Sequence, residues 1–148
     1  MGVYNGTIGK QITESGLADA ATGTAPVPGC AVVATGAAID GIQATFGGDT
    51  AGNVFGFGVA MGVDISKLPA NQPTYATGNP IMVATGGDVL VLLSSAVTDV
   101  KIPLVGTVSS SVPTGFAPAS PGQHAMLLPC ETGAANTYIR AKFAYMTY

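Results

Sequence analysis

The chain has 148 residues, with five Lys or Arg against eight Asp or Glu; charged residues make up 9%, where an average soluble domain carries about a quarter. Net charge is −3 and the five cations, Lys10, Lys67, Lys101, Arg140 and Lys142, are scattered, which argues against the clustered basic footprint that nucleic acid demands. Mean hydropathy is +0.45, yet apolar runs such as Val89–Leu93 fall far short of the roughly 18 residues of a membrane helix.

A folded monomer of this mass exposes roughly 6,900 Å², or about one charge per 530 Å², where average composition supplies about one per 190 Å². So bland an exterior promotes association. The expectation is a surface covered by copies of the chain or by a partner. The length suits one domain with a core of its own.

From the N-terminus, Met1-Gly2-Val3-Tyr4-Asn5 has neither the cationic start nor the apolar stretch of a signal peptide, so synthesis in the cytoplasm is expected. Through residues 1–28 the apolar residues Val3, Tyr4, Ile8, Ile12 and Leu17 stand isolated among Gly, Thr, Asn and Ser. Ile8 and Ile12 could share a helical face, against which Gly9 and Gly16 count. Two readings stay open, an extended arm with spaced anchors and a loosely ordered tail. Pro26-Val27-Pro28-Gly29 ends the stretch as a stiff, non-helical boundary.

Beyond it, short apolar runs alternate with turn residues, which predicts a sandwich or barrel. The predicted strands are Cys30–Ala34, Ile39–Phe46, Asn53–Val63, Ile81–Ala84, Asp88–Ser94, Ile102–Ser109, His124–Cys130 and Tyr138–Tyr145. The expected fold is all-β: one small β-barrel or sandwich domain of about eight strands over 29–148, with residues 1–28 as an N-terminal arm. In Val54–Val63 the large residues Phe55, Phe57, Val59, Met61 and Val63 alternate with Gly56, Gly58, Ala60 and Gly62. Period two puts bulk on one face and leaves the other nearly bare, so another backbone can approach closely. Gly47-Gly48-Asp49 and Gly86-Gly87-Asp88 read as turns. The repeated Val-Ala-Thr-Gly at 33–36 and 83–86 reads as a strand exit, its Gly supplying a positive φ.

Motifs for chemistry are sparse. The one histidine, His124, would have to serve any Ser-His-Asp triad, and no Gly-x-Ser-x-Gly elbow accompanies it. Gly56-Phe57-Gly58-Val59-Ala60-Met61-Gly62 fails as a dinucleotide fingerprint, because the third glycine is displaced and strand alternation continues through it. Cys30, Cys130 and His124 lack the paired spacing of a zinc site, and the acids form no calcium loop. No catalytic, metal or cofactor residues are expected. Cys30 and Cys130 are expected as reduced, buried, strand-end thiols; a pair would close a loop of about 100 residues.

Several segments resemble the structural cement, or head-decoration, proteins of tailed bacteriophages. Gly6-Thr7-Ile8-Gly9-Lys10-Gln11-Ile12-Thr13-Glu14-Ser15-Gly16 is similar to that family's Gly-x-Ile-x-x-Ser-Gly arm, and Val27-Pro28-Gly29-Cys30-Ala31-Val32-Val33 to its Pro-x-Gly-x-x-Val strand. Val54-Phe55-Gly56-Phe57-Gly58-Val59-Ala60 is similar to its Phe-x-Gly-Val-Ala strand. Thr77-Gly78-Asn79-Pro80-Ile81-Met82-Val83 and Gly87-Asp88-Val89-Leu90-Val91 are similar to its Gly-Asp-Pro-Val and Gly-x-Val-x-Val strands, with Asn79 where Asp is usual. The resemblance implies a non-enzymatic β domain with an arm, on the outside of a phage capsid, often a homotrimer, with the major capsid protein as partner. No nucleic acid, membrane or cofactor is implied. Val3, Tyr4, Ile8, Ile12 and Leu17 are the expected contacts to capsid or neighbouring subunits. Two other classes stay open, a surface adhesin or fibre subunit of a virion and a small carboxylate hydrolase.

Overall fold

The computed structural model describes residues 11–20, 25–36, 45–48, 58–61, 75–110 and 112–148. Among them there is no helix. Nine strands follow one another: β1 (Gln11–Ala18), β2 (Ala31–Ala34), β3 (Thr45–Gly48), β4 (Gly58–Ala60), β5 (Pro80–Leu92), β6 (Leu104–Ser109), β7 (Val112–Pro118), β8 (His124–Pro129) and β9 (Tyr138–Thr147). The all-β expectation holds, in the form of one mixed sheet ordered β1-β3-β2-β4-β5-β9-β8-β6-β7. Among the described strand pairs only β1–β3 is parallel.

β5 organises this sheet. β1 pairs with both β3 and β5, so the pairings of the first five strands return on themselves. On the other side β5 pairs with β9, and the chain just after β5 meets β7 through the Leu93–Phe116 bridge. A hydroxyl chain supports that second return: Thr107 Oγ1 donates to Ser94 Oγ at 2.7 Å, and Ser94 Oγ donates to the Phe116 carbonyl at 3.2 Å.

Several expectations are corrected here. Ile81–Ala84 and Asp88–Ser94 are not separate strands; β5 runs from Pro80 to Leu92 straight through Gly86-Gly87-Asp88. That tripeptide is therefore not a turn between strands. Opposite it, β1 steps one residue, Ile12 to Thr13, where β5 steps two, Gly86 to Ala84. Thr85 is the extra residue of a β-bulge, and Gly87 takes φ 73°, which glycine adopts without a steric penalty. Gly47 and Gly48 likewise lie in β3, paired with Val33 and Val32. Of the two Val-Ala-Thr-Gly segments, 33–36 leaves β2 through Gly36 at φ 68°, whereas 83–86 lies within β5.

The bulge decides where the core sits. On its N-terminal side Ile81 and Val83 pack with Ala18, Val32, Phe46 and Ala60. Beyond it Val89, Val91 and Leu93 join Ala84 in a larger cluster with Val59, Leu104, Phe116, Leu127 and Ile139. Strict period-two alternation would put Ala84 and Val89 on opposite faces; one inserted residue restores them to the same face. Phe46 and Phe116 are fully buried, each contributing about 3 kcal/mol of hydrophobic stabilisation.

The remaining strands match their expected positions within a few residues, as far as they are described. Residues 39–44, 53–57 and 62–63 of the expected strands lie outside the described residues. β1 and β7 are additions to the expected set. β1 places residues 11–18 of the expected arm in the sheet, hydrogen-bonded to β5.

Candidate functional site

Among the five expected contact residues, Val3, Tyr4 and Ile8 lie outside the described residues. Ile12 and Leu17 both lie on β1, with different surroundings. Ile12 is 56% exposed, and its Cδ1 lies 3.0 Å from where a Cβ would stand on Gly86. The side chain thus rests on a glycine shelf with its other side in solvent. Leu17 is 9% exposed, opposite Pro80 on β5 and Thr45 on β3. Its apolar surface is used inside its own subunit, so it is not available as an outward anchor.

The division between these residues is a property of the whole strand. From Ile12 to Ser15 four successive side chains are exposed, while Gly16 to Asp19 are buried. Exposure of successive strand residues means that both faces of this half-strand look outward. Met82, the register partner of Ser15, is 44% exposed. Ile12, Thr13, Ser15 and Met82 carry no charge, and Glu14 alone in this patch does. The surface offers van der Waals contact and hydroxyl groups, which is the chemistry of protein–protein packing.

Further half-exposed apolar side chains are Val100, Val112, Tyr145 and Tyr148. Tyr145 stands near the end of β9, its ring 6.2 Å from that of Phe143. Composition did not single out Met82 or Tyr145, because exposure within an apolar strand depends on which neighbours cover it.

His124 opens β8 at the surface, and its Nδ1 lies 2.9 Å from Thr147 Oγ1 across the β8–β9 pair. The contact ties two strand ends together. The thiols depart in part from expectation. Both are free; Cys30 is buried but Cys130 is exposed. Burial pushes the Cys30 thiol up to about 12. Cys130 is also raised, first by desolvation and then by Asp88, against the opposing pull of Lys142 and Arg140. A cysteine activated as a catalytic nucleophile has a lowered pKa, and both thiols here are raised. Around Cys130 the charges are engaged locally: Asp88 is the register partner of Lys142, and Glu131 Oε1 accepts from the Arg140 backbone N–H at 2.8 Å.

Among the described residues no group of three or more His, Cys, Asp or Glu is placed to hold a metal ion. The outward half of β1 with its β5 partner is the candidate site, on the exposure of Ile12–Ser15 and Met82. Comparison with protein-family models, with curated proteins and with solved structures finds no match for this chain.

Proposed function

We propose that this chain is a non-enzymatic structural protein of a bacteriophage virion, binding the outside of the assembled capsid and cementing neighbouring capsomers. The observation that carries the reading is the shortage of charge, 13 Lys, Arg, Asp and Glu among 148 residues, which suits a molecule that works pressed against other protein. Segment resemblances to head-decoration proteins along the chain supply the class of partner. The uncharged, outward-facing Ile12 supplies a local anchor in β1, alongside Val3, Tyr4 and Ile8 of the arm; Leu17 is left out because it is buried in its own subunit.

The mechanism is linkage. A molecule that binds the assembled lattice and not its separated parts stabilises the lattice by mass action. An interface of about 800 Å² per partner suffices for a stable contact, and a homotrimer touching several capsomers gains avidity without stronger individual contacts. The major capsid protein is the partner, and the capsid exterior is the location.

With so few charges, attachment depends weakly on salt, because screening has little to act on. Titrating the protein onto capsids stripped of it, at about 0.05 M and 1 M NaCl, tests this. Saturable binding with near-equal affinity is expected. Absence of binding overturns the proposal, and a loss greater than about tenfold in high salt overturns its apolar mechanism.

A further inference from the structure

We infer that the outer half of β1, Gln11–Ser15, is an exchangeable strand, which leaves its place on β5 and occupies the equivalent place on a second copy of this chain. The inference rests on the self-association proposed above and names the surface through which it occurs.

The segment is attached in an unusual way. Ile12–Ser15 bury little side-chain surface on either face, so the attachment is almost wholly the backbone ladder to Met82–Gly87. Besides that ladder there is the rest of Ile12 on Gly86 and a long 3.5 Å contact from Thr85 Oγ1 to the Ile12 carbonyl. Segments with few buried apolar contacts are the first to open. Polar, two-sided strands also have weakly specified pairing and are prone to swapping.

Anchoring begins abruptly afterwards. Leu17 and Ala18 are held between β3 and β5, and the Asp19 N–H donates to the Phe46 carbonyl at 2.8 Å. Gly16 stands at the boundary and supplies backbone freedom there. The strand can therefore release as far as Ser15 without loss of either core.

Exchange costs little because the incoming segment remakes the pairing that the outgoing one left. It can run reciprocally in a pair or pass around a ring. Main-chain hydrogen bonds then link the copies, with Glu14 the one charged side chain in the exchanged segment.

The register supplies the test. The Met82 carbonyl accepts from the Met61 N–H at 3.1 Å, so it is turned away from β1. Ser15 and Met82 thus form a non-hydrogen-bonded pair with Cα atoms about 4.5 Å apart, within reach of a disulfide. In a Cys130→Ser background, Ser15→Cys and Met82→Cys are made as separate proteins, each altering one exposed side chain. They are mixed, oxidised mildly and resolved without reductant. A covalent heterodimer at roughly tenfold the yield of any covalent dimer from either variant alone is expected. Sedimentation of the unoxidised mixture distinguishes the failures. Oligomers without the heterodimer overturn the exchange and leave self-association standing; a monomer at every concentration overturns both.

Discussion

Gly58 has no room for a side chain, because a Cβ there would run into the carbonyl oxygen of Ala84 and into Val83 Cγ1. The obstacle is backbone, which cannot rotate aside as a side-chain tip can. Gly58→Ala is therefore expected to destabilise the protein by roughly 1–3 kcal/mol, read from the urea midpoint. This close approach was legible in the alternation of large residues with Gly and Ala along Val54–Val63. Cys30 makes a second prediction at this scale. Its thiol titrates near 9 when unfolded and about 12 when folded. Below pH 9 both states are neutral and its contribution is fully present. Above pH 9 the unfolded thiol ionises while the folded one does not, so stability falls by about 1.4 kcal/mol per pH unit between those values. Cys30→Ala should flatten the decline of denaturation midpoints between pH 8 and pH 11, leaving the part due to Tyr75 and Tyr145, whose phenols partial burial also raises. Exposed Cys130 is expected to react with a thiol reagent in the native protein, and Cys30 only after unfolding.

At the scale of elements, β5 carries core residues on both faces, and adjacent positions on it differ sharply in tolerance. Val83 is fully buried and Met82 is 44% exposed. Val83→Lys is expected to abolish cooperative folding by leaving an unpaired buried charge. Met82→Lys should stay within about 0.5 kcal/mol of wild type; circular dichroism with thermal melting compares them. Elements also show where sequence reading stops. β1 was missed because Thr13-Glu14-Ser15-Gly16 has no apolar alternation; it is a strand because β5 and β3 accept its backbone hydrogen bonds. β7 was missed because Pro113, Gly115 and Pro118 interrupt it. It stands last in the sheet order and, beyond β6, is met at the Leu93–Phe116 bridge, so its prolines interrupt little pairing.

For the whole molecule, the two groups of strands meet on one shared strand, so neither core can be lost alone. Phe116→Ala, in the larger cluster, is expected to cost about 3–5 kcal/mol. It should lower a single transition that follows the same curve by circular dichroism and tyrosine fluorescence; separate transitions would show that the cores unfold independently. The exterior is the second whole-molecule property. The chain exposes 6856 Å², close to the area expected for its mass, and its whole sequence holds 13 charged residues, of which Asp19 is buried. Sedimentation of the purified protein is expected to show self-association that persists in high salt, because contacts formed without ion pairs are not screened.

The sequence by itself determined the all-β class, the lack of charge on the exterior, the close approach at Gly58 and most strand positions. Each of these follows from composition or from a local period of two. Only the tertiary structure decided that Gly86-Gly87-Asp88 lies inside a strand, that Leu17 faces inward while Ile12 faces out, and that Cys130 is exposed. The reason is that glycine permits turn, bulge and strand alike, and burial depends on partners far away in the chain. Thr85 shows the difference: one residue inserted opposite β1 selects which core each side chain of β5 enters, and no local pattern records it.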